Sequence, residues 1–115
     1  MEITATLLNQ TVVVSIVGSV DALTAGDVDH YLSAQADSGQ KQIVADLSQM
    51  DFMSSAGLRA LLHALRESRQ RGGDLRLAAA QPGVDHTLSI SGFSSILQSF
   101  PTVEKAVASF GPGPI

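Results

Sequence analysis

The stretch Asp51-Phe52-Met53-Ser54-Ser55-Ala56-Gly57-Leu58-Arg59-Ala60-Leu61-Leu62 decides how this chain is read. Before it lies Ile43-Val44-Ala45-Asp46-Leu47, a short, nearly continuous apolar run of the kind that forms a strand buried on both faces. After it, Leu58, Leu61, Leu62 and Leu65 recur at i, i+3, i+4 and i+7, the stripe of an amphipathic helix, with Ala60 and Ala64 as strong helix formers. The chain therefore leaves a sheet, turns over two adjacent serines and starts a helix. A serine hydroxyl at that point can cap helix N–H groups, attack a substrate or accept a phosphate. Which of these it does decides the function.

Outward from that turn, strands and helices alternate. Ile3, Ala5 and Leu7 alternate with Thr4 and Thr6 as a half-buried strand, Asn9-Gln10 supplies a turn, and Val12 to Val17 form a second strand, so the chain opens with a hairpin. Val28, Tyr31, Leu32 and Gln35 stand at helical spacing, with Thr24 as cap and Gly39 as stop. Gly72-Gly73 ends the central helix, and Leu75 and Leu77 alternate with Asp74 and Arg76 as a strand. Pro82 suits a first helical turn, Val84 and Leu88 face inward, and Gly92 stops that helix. Ile96-Leu97 reads as a short edge strand, and Val103, Ala106, Val107 and Phe110 as a last amphipathic helix.

The order β-β-α-β-α-β-α-β-α predicts one α/β domain over residues 1–110. Its sheet is mixed and mostly parallel, with helices packed against it, and a loose tail follows at 111–115. Sites in such sheets gather at the carboxyl ends of strands. Asp21 and Ser54-Ser55 both fall there.

Composition narrows the function. A length of 115 residues suits one domain, and 44% hydrophobic with 16% charged residues supplies an ordinary core. The net charge of −4 argues against nucleic acid, whose backbone requires a basic footprint. Arg66, Arg69, Arg71 and Arg76 cluster, but Glu67 and Asp74 interrupt them, so they read as a solvated face. The absence of cysteine excludes disulfides, thiolate zinc sites and a cysteine nucleophile, and fits a cytoplasmic protein. The longest apolar stretch, Val12 to Val20, is broken by Ser15, Gly18 and Ser19 and falls short of the ~20 residues of a bilayer span. Met1-Glu2-Ile3-Thr4 lacks the basic region of a secretory signal. No membrane insertion is expected.

Catalysis fits the serines poorly. His63 stands eight residues beyond Ser55, roughly 12 Å along a helix, out of reach as a base. His30 and His86 belong to other helices, and the turn lacks the Gly-x-Ser-x-Gly pattern of a hydrolase elbow. Three isolated histidines and scattered aspartates show no metal-ligand spacing, and Asp27 and Asp29 diverge on a helix. No cofactor is implied: Gly72-Gly73 follows a helix, and no Gly-Lys-Ser/Thr of a phosphate loop exists. Local chemistry alone favours a cap by Ser54 or Ser55. Gly57, costly inside a helix, marks a place where something approaches closely.

The segment Asp46-Leu47 … Phe52-Met53-Ser54-Ser55-Ala56-Gly57-Leu58 resembles the signature of the STAS domain family, the bacterial anti-sigma factor antagonists. Gly18-Ser19-Val20-Asp21 followed by Thr24-Ala25 resembles the family's turn after its second strand. Pro82-Gly83-Val84, Leu88 and Ser91-Gly92-Phe93 resemble its later helix and turn. The likeness runs from residue 2 to residue 110, and the element order is also the family's.

The resemblance implies a binding module, not an enzyme. In the family the antagonist binds an anti-sigma factor that is also a serine kinase in the best-known systems, which frees the sigma factor. Phosphorylation of one serine at the start of the second helix ends that binding, and a phosphatase resets it. That serine aligns with Ser55, with Ser54 as the alternative, since the family's acidic residue before the serine is Ser54 here and its following Ser or Thr is Ala56. The implied partner surface is Asp21, Thr24, Ser54, Ser55, Gly57 and Arg59. Asp21 and Asp46, placed near one edge, would repel an added phosphate. Arg59, four residues from Ser55 and on the same face, can pair with a phosphate or with an acidic partner. The family also implies a second role, as a subunit or accessory domain of a transport or lipid-trafficking complex. A third reading is nucleotide binding at the strand edge.

Overall fold

The computed structural model describes residues 1–111. It orders the elements as β1 (Glu2–Leu8), β2 (Thr11–Val20), α1 (Ala25–Asp37), β3 (Gln42–Asp46), β4 (Met50–Met53), α2 (Ser55–Gln70), β5 (Asp74–Ala78), α3 (Pro82–Ile90), β6 (Ser99–Phe100) and α4 (Val103–Ala108). Five strands lie in the order β1-β2-β3-β5-β6, and β4 pairs with β2 off that path. Among the described residues only the β1–β2 pairing is antiparallel; β3, β4, β5 and β6 are all joined in parallel. This is the mixed, mostly parallel sheet that the alternation of patterns implies.

Strand periodicity sorts the core onto two faces. Val12, Val14, Ile16, Ile43, Ala45, Leu75 and Leu77 join Val28, Leu32, Leu61, Leu65, Val84 and Leu88 in one cluster beneath α1, α2 and α3. Val44 and Ala78 point the other way, to Ala106 of α4, with Val13, Phe100, Val103, Val107 and Phe110 around them. β3 is thus covered on both sides, as its unbroken apolar run requires.

Three elements differ from the sequence reading. Among the described residues β1 is an edge strand that pairs only with β2, and it is exposed rather than half-buried: Ile3 alone is partly buried, and Leu7 is 64% exposed. The last strand is Ser99–Phe100, not Ile96-Leu97. Ile96 and Leu97 donate to Phe93 O in a turn, and Leu97 is buried as a plug. β4 is additional. Its Met50-Asp51-Phe52-Met53 buries only its two methionines, a pattern that alternation does not reveal. The tail residues 112–115 lie outside the described residues.

Candidate functional site

The site begins with a change of partner along β2. Thr11–Ser15 pair with β3, whereas Gly18–Val20 pair with β4, and the register shifts between Gly18 and Ser19. Gly18 adopts φ +101, a conformation that favours glycine, and its N–H donates to Gln49 O at 2.8 Å. β3 and β4 are therefore two pieces of one rising path beside β2, kinked at Leu47–Gln49, where Ser48 N donates to Asp46 Oδ1. The kink carries the chain to the carboxyl end of β2 before it turns into α2. There Ser54 N donates to Val20 O at 2.9 Å, tying the serine turn to that strand end.

The two serines have different jobs. Ser54 is the N-cap of α2 in extended backbone, and its Oγ accepts from Gly57 N at 3.3 Å. Ser55 is the first helical residue, exposed, and its hydroxyl takes no part in that cap. Gly57 is buried. A Cβ on it would stand 2.8 Å from Met53 Cγ, 2.9 Å from Val20 Cγ1 and 3.3 Å from Val20 O. The close approach that its presence signals is that of the domain's own β2 and β4 to the first turn of α2.

Across the turn, Asp21 and Thr24 bind each other. Asp21 Oδ1 accepts from Leu23 N at 2.9 Å, Thr24 N at 3.1 Å and Thr24 Oγ1 at 3.2 Å, while Asp21 N donates to Thr24 Oγ1 at 3.0 Å. Thr24 occupies the N-cap position of α1, but its hydroxyl makes no cap bond to the helix. The carboxylate of Asp21 shapes this loop, and both side chains remain half-buried.

Between α1 and α2 runs an open groove of about 320 Å³ lined by Ala25, Gly26, Asp29, Ala56, Arg59, Ala60 and His63. Its far end is closed electrostatically. His63 Nδ1 and Asp29 Oδ1 are 2.7 Å apart, and Ser33 Oγ donates to the same oxygen. The hydrogen bond to Asp29 and the charge of that carboxylate raise the pKa of His63 above its ordinary 6.5. Arg59 is exposed at the end nearer Ser55.

The family model for the STAS domain matches residues 2–106. The chain belongs to the STAS domain family. A Bordetella bronchiseptica protein named as a candidate anti-sigma factor antagonist, BtrV, is 34% identical over 110 residues, covering 96% of this chain and 95% of the relative. The Bacillus anti-sigma factor antagonist SpoIIAA in its unphosphorylated form matches with a TM-score of 0.80 at 22% identity, over 98% of this chain and all (100%) of that one. A structure of SpoIIAA in its phosphorylated form matches at 0.71 and 21%, over 95% and 99%. A sulfate transporter family protein from Wolinella succinogenes matches at 0.77 and 19%, over 90% and 87%. At these identities the solved structures show the fold alone.

The STAS domain brings Asp21, Thr24, Ser54 and Ser55 together at the joined ends of β2 and β4, with Arg59 one helical turn away. Gly57 lies beneath them, where it supports the surface without facing it. Asp46 is elsewhere. It pairs with Ser15, and Val20 lies five positions further along β2, roughly 16 Å of strand. Asp46 therefore adds no charge at the serine edge. Two residues of this end are not among the expected surface residues: Leu23, 90% exposed after β2, and Phe52, which the recognised segment includes without marking it as exposed and which is 53% exposed on β4. Leu23 sits among turn-formers, and Phe52 lies in a strand without alternation. In the basic cluster Arg66, Arg69 and Arg71 are exposed, as a solvated face implies, while Arg76 is half-buried; Arg69 and Arg76 both pair with Asp74, and Arg71 with Asp37. No helix among the described residues is long and apolar enough to cross a membrane.

Proposed function

We propose that this STAS domain is an anti-sigma factor antagonist: a cytoplasmic binding module, not an enzyme, that docks on an anti-sigma factor through its serine edge. Phosphorylation of Ser55 by a kinase activity of that partner ends the complex, and a phosphatase restores it. The observation that carries this reading is the division of labour at the turn. Ser54 Oγ is committed to the cap, and the neighbouring Ser55 is exposed at the first position of a 16-residue helix.

A phosphate brings about −1.5 to −2 charges and three acceptor oxygens. At a helix N-terminus the dipole and the free N–H groups accommodate an anion, so the fold tolerates the modification. A partner packed on the same surface must desolvate that anion, so binding weakens while stability does not. The relationship to BtrV over nearly the whole of both chains favours this reading over an accessory role in a transport complex. A gene for a histidine-kinase-like ATPase beside this one would support it further, and a transporter operon would favour the alternative.

The test is direct. Each anti-sigma factor of the host is purified and titrated calorimetrically with the chain, then incubated with ATP while intact mass and phosphopeptides are followed. One partner binds, phosphate accumulates on Ser55, and Ser55→Ala binds without being released. Binding to none of them overturns the assignment; phosphate on Ser54 alone keeps the switch and moves its site to that residue.

A further inference from the structure

Arg59 stands apart from the arginines that hold the other end of its helix. Arg69, Arg71 and Arg76 each have a carboxylate partner, at 3.1, 2.6 and 3.1 Å. Arg59 has no ion-pair partner among the described residues. Arg66 shares that freedom but is not among the residues that line the groove between α1 and α2, whereas Arg59 lines it. The walls there are the small residues Ala25, Gly26, Ala56 and Ala60. A Cβ at Gly26 would meet nothing within 4 Å, so the groove is open over that residue. His63, the next residue along that side of α2, is already engaged by Asp29. This end of the groove thus offers a small apolar floor and one uncompensated cation. Its complement is a partner segment that presents a carboxylate.

Ser55 sits four residues before Arg59, on the same face of α2, and both are exposed. An acid placed N-terminal to a base at that spacing is the favoured order for a helical ion pair. A phosphoserine there carries more charge than a carboxylate and matches the guanidinium fork with two oxygens.

We propose, resting on the antagonist reading, that Arg59 is the group for which a carboxylate of the anti-sigma factor and the phosphate of modified Ser55 compete. Phosphorylation then releases the partner in two ways at once. It adds an anion to the interface, and it folds the cation that the partner used back onto the antagonist's own helix. The switch is complete within one turn of α2 and requires no change of fold.

Two measurements test this. Phosphoserine is installed at position 55 by genetic encoding, and its phosphorus resonance is titrated in the wild-type background and with Arg59→Gln. The guanidinium favours the dianion, so removing it raises the second phosphate pKa, by about 0.2–0.4 pH unit for a surface helical pair. An unchanged pKa overturns the proposal. The anti-sigma factor found by calorimetry is then measured against four proteins: the serine and phosphoserine forms of the wild-type chain and the same two forms of Arg59→Gln. Arg59→Gln weakens the unmodified complex about tenfold, and the loss caused by phosphate shrinks by about twofold in that background, the strength of the phosphoserine–Arg59 pair itself. Equal losses in the two backgrounds overturn the competition and leave the antagonist reading standing. A wild-type chain that binds no anti-sigma factor overturns both.

Discussion

The two ends of α2 treat similar residues in opposite ways. At the C-terminal end, Asp74 bridges Arg69 and Arg76, Arg69 Nη2 donates to Ile96 O, and Arg76 Nη1 donates to Ser109 Oγ. The Arg76 guanidinium also lies 4.1 Å from the centroid of Phe110, which ties β5 to the segment after α4. These charged side chains satisfy one another and hold elements together, although the buried hydroxyl of Ser68 beside them has no partner. At the N-terminal end, about 24 Å away along a 16-residue helix, Ser55 and Arg59 face solvent beside the exposed Leu23 and Phe52. Exposed groups without partners cost the fold little, because water satisfies them. They are the groups a second protein can engage.

The contrast has an inner limit at Gly57, which lies at the open end but belongs to the core. Gly57→Val should give the largest loss of stability. Its side chain would enter the space of Met53 Cγ and Val20 Cγ1, where even a Cβ stands under 3.0 Å from both. Overpacking and the β-branch together should cost about 2–3 kcal/mol, read as a lower urea midpoint at constant slope. Gly26→Ala is the control, with open space around its Cβ and ordinary helical backbone. It should stabilise by about 0.5–1 kcal/mol. If both glycines tolerate substitution equally, the division between supporting and facing residues at this end is wrong.

Asp74→Ala against Arg59→Gln compares the ends directly. Removing Asp74 leaves two arginines without their carboxylate partner, one of them Arg76 with only 17% of its side chain exposed. A loss of about 1–2 kcal/mol is expected. Arg59→Gln should stay within about 0.5 kcal/mol, because nothing in the fold depends on it. Equal losses at the two ends would mean that Arg59 is not reserved for binding.

What is legible in the sequence follows from what each signal measures. Periodicity reports which face a residue buries, so α2, β3 and β5 are plain from Leu58-Leu61-Leu62-Leu65, Ile43-Val44-Ala45 and Leu75-x-Leu77. It is silent where burial does not alternate. β4 escapes it for that reason, and so does the pairing of Ser99–Phe100, which depends on Leu77 and Ala78 lying alongside. The serine turn is visible because strand, polar pair and helix follow one another directly. Which serine caps is not, since Ser54 and Ser55 differ only by their place relative to Val20 O. Gly57 announces a close approach but not of what. The charge pairs Arg71–Asp37 and His63–Asp29 span more than thirty residues, and no local pattern encodes them.

A smaller effect separates the serines. Ser54→Ala removes the acceptor for Gly57 N and should cost about 1 kcal/mol, whereas Ser55→Ala should change stability by less than about 0.5 kcal/mol. Thermal or urea unfolding of the two variants decides it. A larger loss for Ser55→Ala would mean that the exposed hydroxyl has a structural role, and its standing as the modified residue would weaken.

The smallest effect lies midway along α2, where His63 and Asp29 join the two helices that wall the groove. The hydrogen bond and the carboxylate charge raise the histidine pKa above 6.5. The protonated form is therefore favoured in the folded chain. Its stabilising contribution is complete below the unfolded pKa of about 6.5 and is lost as pH rises through the higher folded value. Glu67, 3.8 Å from Nε2, acts in the same direction, and Arg66 opposes it. Both partners are partly exposed, with 56% of the histidine side chain and 31% of the aspartate accessible, so salt should weaken the effect and its share of total stability is slight. A proton NMR titration of His63 should show the raised pKa, and Asp29→Asn should bring it back toward 6.5. If the pKa stays high in that variant, the attraction comes from elsewhere on α2. The far end of the groove would then be as open as the end at Arg59, and α2 would divide into a free face and a fixed terminus rather than into two ends.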